Sequence, residues 1–148
     1  MILCDVNVLV YAFRSDVPHH DAWSDWLEAV VDSDHAFGLS DVVAQGFVRV
    51  VTHHRVFKPP STPDRALAFV EAVRARPNSV RVEPGERHWS IFARLVRTTG
   101  ARGNDVPDAW LAALAIEHGC EWITADRGFG RFEGLRWSCP VGGGGAAP

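Results

Sequence analysis

A chain of 148 residues with 47% apolar side chains can bury one sizeable core, and its net charge of −3 excludes the global positive field of a general nucleic-acid binder. Its three cysteines, Cys4, Cys120 and Cys139, show neither paired nor CxxC spacing, which argues against a disulfide framework or a thiolate zinc site and for a reducing cytoplasm. No apolar run approaches the roughly 20 residues that span a bilayer, and the N-terminus lacks a basic region followed by a cleavage site, so no membrane association is expected.

The chain opens on a strand. Residues 2–4 are apolar and run into Asp5, after which Asn7 is placed to cap the helix VLVYAF through its short side-chain oxygen. Pro18 interrupts, and a helix over His20 to Val31 carries Trp23, Trp26, Leu27 and Val30 on one apolar face. Ala36 to Leu39 reads as a second strand. Ser40 then caps DVVAQGFVRVVTHH, where Val43, Phe47, Val50 and Val51 repeat at helical spacing and Asp41 and Gln45 share a face. The segment KPPSTP is too rich in proline for a regular element, and Thr62 caps the helix beyond it, with Pro63 in its first turn.

Ser79 to Val82 reads as a third strand. Pro84 opens the next helix, with Trp89, Phe92, Leu95 and Val96 inward and Arg94, Arg97 and Arg102 outside. Pro107 at a first helical position and Gly119 just past the last one bound another helix, which puts Asp108 in its first turn. Glu121 to Thr124 is a buried strand ending on Asp126. Gly128 to Gly134 is a loop, and Leu135-Arg-Trp-Ser a last short strand.

Strands alternating with helices indicate βαβ units, whose right-handed crossovers place helices on both faces of a parallel sheet. The expected fold class is therefore a three-layer α/β/α sandwich with a four- to five-stranded parallel sheet. One domain is expected over residues 1–140, followed by a disordered glycine-rich tail, 141–148. No GxGxxG or GxxxxGK[ST] marks a nucleotide-binding version.

Three aspartates share a placement: Asp5 after the first strand, Asp108 opening a late helix, and Asp126 after the following strand. In an open α/β sheet the strand C-termini and following helix N-termini form the ligand-binding edge. Carboxylates converging there repel unless a cation lies between them, and oxygen-only donors favour a hard divalent ion such as magnesium. Each residue taken singly also fits a helix cap, a helix-dipole charge or a turn; their joint placement is what points to a metal site.

The stretches ILCDVNVLVYAF and GNDVPDAWLAALAIEHGCEWITADRGFGRF, and the order of elements between them, resemble the PIN-domain ribonucleases, specifically VapC-type toxins of bacterial toxin–antitoxin pairs. The resemblance covers nearly the whole chain except the glycine tail. It implies a Mg2+- or Mn2+-dependent endoribonuclease, a homodimer, inhibited by a cognate antitoxin whose C-terminal segment packs along a groove. It further implies a structured RNA substrate, tRNA or rRNA, and metal binding and catalysis by Asp5, Asp108 and Asp126, with Asn7 and Thr124 in support.

One departure stands out. The family carries a glutamate in the helix after strand two, in a Ser-x-x-x-x-Glu-Phe-like setting, and the corresponding residue is taken as Gln45. A glutamine coordinates only through its carbonyl and cannot act as a base, so Asp41 and Asp105 are further candidates to complete the site, which holds one metal or two. Among 14 arginines and one lysine, Arg127, next to Asp126, is the best placed for a scissile phosphate; Arg49, Arg55, Arg94, Arg97 and Arg102 are possible backbone contacts. His53-His54 and His19-His20 lack a third ligand for zinc, since adjacent histidines point apart.

A haloacid-dehalogenase-like phosphatase also starts from an aspartate after strand one. It needs a second aspartate two residues on, where this chain has Asn7, and a lysine near the phosphate, where the lone Lys58 lies among prolines. The remaining rival, from another class, is a PIN-fold RNA- or antitoxin-binding module weakened in catalysis.

Overall fold

The computed structural model describes residues 1–142. In chain order the elements are β1 (Ile2–Cys4), α1 (Val6–Phe13), α2 (His20–Val31), β2 (Phe37–Leu39), α3 (Asp41–Val51), α4 (Pro63–Arg74), β3 (Ser79–Arg81), α5 (His88–Thr99), α6 (Asp105–Glu117), β4 (Glu121–Ile123), a 3-10 turn (Arg127–Arg131) and β5 (Arg136–Ser138). All but the first two residues of the glycine-rich tail lie outside the described residues.

The sheet has five strands in the order β3-β2-β1-β4-β5, all parallel. From β1 the chain winds outward to β2 and β3, then crosses back over β1 to lay down β4 and β5 on the other side. Right-handed crossovers in opposite directions put the intervening helices on opposite faces. The packing agrees: α1 contacts α2 and α3, and α3 contacts α4, whereas α5 packs on α6. The point where the winding reverses lies between β1 and β4, where Leu3 pairs with Trp122 and Cys4 with Ile123. Leu3, Phe37 and Trp122 are at most 1% exposed, because a parallel strand covered on both faces must be apolar on both.

The caps on α3 and α4 fall where the residue types place them. Ser40 Oγ accepts from Val43 N at 3.2 Å, and Thr62 Oγ1 accepts from Arg65 N at 3.3 Å. Gly119 closes α6 in the left-handed region at φ 62°.

Five local expectations are corrected. Asp5, not Asn7, caps α1, its Oδ1 accepting from Val6 N at 2.7 Å. Pro107 is the third residue of α6, where its missing N–H still falls among those without an intrahelical partner. Pro84 does not open α5, because the Glu117 carboxylate takes the N–H of Gly85 at 2.8 Å and of Arg87 at 2.9 Å and holds that approach outside the helix. The buried face of α5 then turns on His88, which is 2% exposed and bonded through Nε2 to Trp110 O at 3.0 Å, while Trp89 is 67% exposed. The loop after Asp126 is in part a 3-10 turn, with Asp126 as its cap.

Candidate active site

Asp5 lies where β1 stops. Its N–H still reaches Ile123 O at 2.9 Å, continuing the ladder with β4, so its side chain emerges at the reversal point of the sheet. Both carboxylate oxygens are engaged: Oδ1 by Val6 N, and Oδ2 by Thr124 Oγ1 at 2.6 Å and Asn7 Nδ2 at 2.8 Å. Asn7 also donates to Thr124 Oγ1 at 3.1 Å and accepts from Ala125 N at 3.3 Å. Thr124 Oγ1 in turn accepts from Asp126 N at 3.0 Å. One polar network therefore ties the ends of β1 and β4 together and orients Asp5 through residues 117 and 119 positions apart in sequence.

Asp126 caps the 3-10 turn, its Oδ1 accepting from Gly128 N at 2.7 Å. A Cβ at position 128 would sit 2.9 Å from that oxygen, so only glycine lets the loop close this tightly. Asp108, on the first turn of α6, is half-buried and pairs through Oδ2 with Arg131 at 3.1 Å; Asp105 shares the same guanidinium at 3.3 Å.

The three acids are within electrostatic reach of one another. Burial pushes the Asp5 carboxyl up to about 6, against the pull of its Thr124 and Val6 hydrogen bonds, and the charges of Asp108 and Asp126 raise it further. Asp108 is raised too, first by burial and then by Asp126 and Asp105, with Arg131 opposing. As the side chains stand, no group of three or more His, Cys, Asp or Glu among the described residues is drawn together at ion-binding distance. The donor set is nonetheless all carboxylate oxygen, and a buried anion repelled by two others is what a hard divalent cation would relieve, so the residues present fit such an ion.

Other candidates lie elsewhere. Asp41 is taken by Arg74 and, at 2.7 Å, by Arg81. Gln45 is exposed on the groove between α3 and α4. The residue directly before Phe47 is Gly46, buried against α1: a Cβ there would lie 2.8 Å from Val6 Cγ2. A side chain longer than hydrogen at position 46 would therefore run into Val6, the residue that follows Asp5. Arg127 is exposed at the start of the turn, and the arginine that meets the acids is Arg131, which sequence reasoning missed because four residues of the 3-10 turn separate it from Asp126. His53 and His54 do not point apart; their rings stack at 5.3 Å and 11°.

These features define a doubly wound α/β protein with an acidic, oxygen-donor cluster at the reversal point of its sheet. The family model for the PIN domain matches residues 2–135. The chain belongs to the PIN-domain family, and its near relatives are VapC proteins. VapC ribonuclease Mb2897 of Mycobacterium bovis is 48% identical over 97% of this chain and 97% of its own length. Ribonuclease VapC25 of Mycobacterium tuberculosis is 40% identical over 92% and 96%. Among solved structures, VapBC2 of Rickettsia felis bound to a promoter DNA fragment superposes with a TM-score of 0.69 at 18% identity, covering 94% of this chain and 98% of that one. DNA-bound VapBC of Salmonella typhimurium gives 0.64 at 19% identity, covering 94% and 98%; at such identities the likeness is one of fold.

Proposed function

We propose that this chain is a toxin endoribonuclease that hydrolyses RNA phosphodiester bonds and is held in check by a cognate antitoxin. The observation that carries this reading is the Asp5–Asn7–Thr124 network, which presents a buried, upshifted carboxylate to Asp108 and Asp126 at the sheet edge where ligands bind. Its relatives of 48% and 40% identity bear the name ribonuclease.

Asp5, Asp108 and Asp126 would hold the metal, Mg2+ or Mn2+. Once bound, such an ion supplies Lewis acidity that lets water ionise near neutral pH and neutralises charge on the phosphate. The chain's own contribution is positional. Asn7 and Thr124 hold Asp5 by two hydrogen bonds to its Oδ2 and are bonded to each other, and Asp126 spends Oδ1 on Gly128 N. In this reading the attacking group is water.

The antitoxin reading draws on the VapBC assemblies of shared fold. It also draws on a groove of about 470 Å3 between α3 and α4, lined by Ala44, Val48, Leu67 and Val70 together with Asp41 and Arg74. An amphipathic segment suits such a lining.

The deciding measurement is mapping of RNA 5′ ends after brief induction, comparing wild type with Asp5→Asn. New ends are expected only with the wild type; identical maps would refute nuclease action. A second reading, a PIN-fold module weakened in catalysis, is favoured by one observation: α3 brings no acid to the cluster, since Gln45 faces the groove and Asp41 is paired with arginines. Wild-type protein inert toward structured RNAs in Mn2+, yet bound to its antitoxin, would establish that alternative.

A further inference from the structure

Arg131 holds a position that the reaction by itself does not require. Its guanidinium bridges Asp108 Oδ2 at 3.1 Å and Asp105 Oδ1 at 3.3 Å, and its Cζ lies 4.8 Å from the ring centroid of Phe132, a side chain only 2% exposed. The turn that delivers it begins at Asp126, whose Oδ1 caps that turn through Gly128 N. One acid of the cluster thus anchors the backbone that carries a permanent cation onto another. An arginine stays charged at any pH at which the fold survives, so the contact cannot be relieved by losing a proton.

We propose that Arg131 is the site's built-in counter-cation and competes with the divalent ion for Asp108. The inference rests on the reading of Asp5, Asp108 and Asp126 as the metal-holding set. A divalent ion on the Asp108 carboxylate and the guanidinium at its Oδ2 would repel one another at short range. Binding an ion then favours withdrawal of Arg131 from Asp108, and the affinity of the site is lowered by up to the free energy of that ion pair. Asp105 gives the displaced guanidinium a place to remain, since it holds the same Nη2 independently of Asp108.

The test is titration of the full chain with MnCl2 at pH 8 by isothermal calorimetry, for wild type, Arg131→Met, Arg131→Lys and Asp5→Asn. Arg131→Met is expected to bind Mn2+ about three- to fivefold more tightly than wild type, the range an exposed ion pair supports. Arg131→Lys keeps the charge without the two-acid bridge and should fall between them, which also guards against a folding defect in the Met variant. Equal or weaker Mn2+ binding by Arg131→Met, with binding by wild type intact and lost in Asp5→Asn, overturns the competition while leaving the metal site standing. No Mn2+ binding by wild type and Arg131→Met alike overturns both.

Discussion

Asp5 concentrates three demands in one side chain: it caps α1, accepts from Thr124 and Asn7, and faces two other acids. Its burial has a consequence for stability. The carboxyl titrates near 6 in the folded chain and at 3.8 when unfolded, so the native state holds its proton more tightly. That contribution is fully present below pH 3.8 and is lost as the pH rises through 6, by about 2–3 kcal/mol in the absence of a divalent ion. Urea unfolding in EDTA should therefore show wild type losing stability relative to Asp5→Asn between pH 4 and pH 7; parallel curves for the two would disprove the upshift. In Mn2+ the same variant should lose RNA cleavage by at least about a hundredfold. Thr124→Val removes the donor to Asp5 Oδ2 from a fully buried position, and about 1–3 kcal/mol of stability should go with it, read from the urea midpoint.

The helix–helix contact that sets the first turn of α1 passes through a glycine. Gly46 on α3 lies so close to Val6 that a methyl group would meet Val6 Cγ2 at 2.8 Å, and Val6 directly follows Asp5. Gly46→Ala should cost about 1–3 kcal/mol and lower RNA cleavage as well, because relieving the overlap moves the turn that aims Asp5. Ser40→Ala at the other end of α3 removes a cap and should cost about 1 kcal/mol with cleavage unchanged. Comparing the two by urea denaturation and by turnover separates a lost cap from a displaced site. Most boundaries of these elements were legible, since Ser40, Thr62 and Gly119 are caps by chemistry alone. The start of α5 was not. Its limit is imposed by Glu117, thirty-two residues beyond Gly85, and no local pattern carries that information.

For the molecule as a whole, the order β3-β2-β1-β4-β5 brings the beginning of the chain beside its last third. A ligand held by Asp5 and Asp126 would bind the folded chain only, and so stabilise it by linkage. At an Mn2+ concentration a hundredfold above Kd the gain is about 2.7 kcal/mol, or about 5–10 °C in Tm for a chain of this size. Differential scanning calorimetry should show that rise in wild type and none in Asp5→Asn; an equal rise in both would place the ion elsewhere. The sequence alone determined the α/β class, the caps of α3 and α4 and the close of α6, and the three aspartates at strand and helix ends, because these follow from local periodicity and residue chemistry. It also pointed to Asn7 and Thr124 as supports, through a family resemblance. Only the tertiary structure decided that Gly46 packs against Val6, that Gln45 turns to a groove, and that Arg131 rather than Arg127 meets Asp108. The reason is physical: which side chains meet across a sheet edge depends on crossovers and loop paths that bring distant residues together, and local sequence pattern encodes neither.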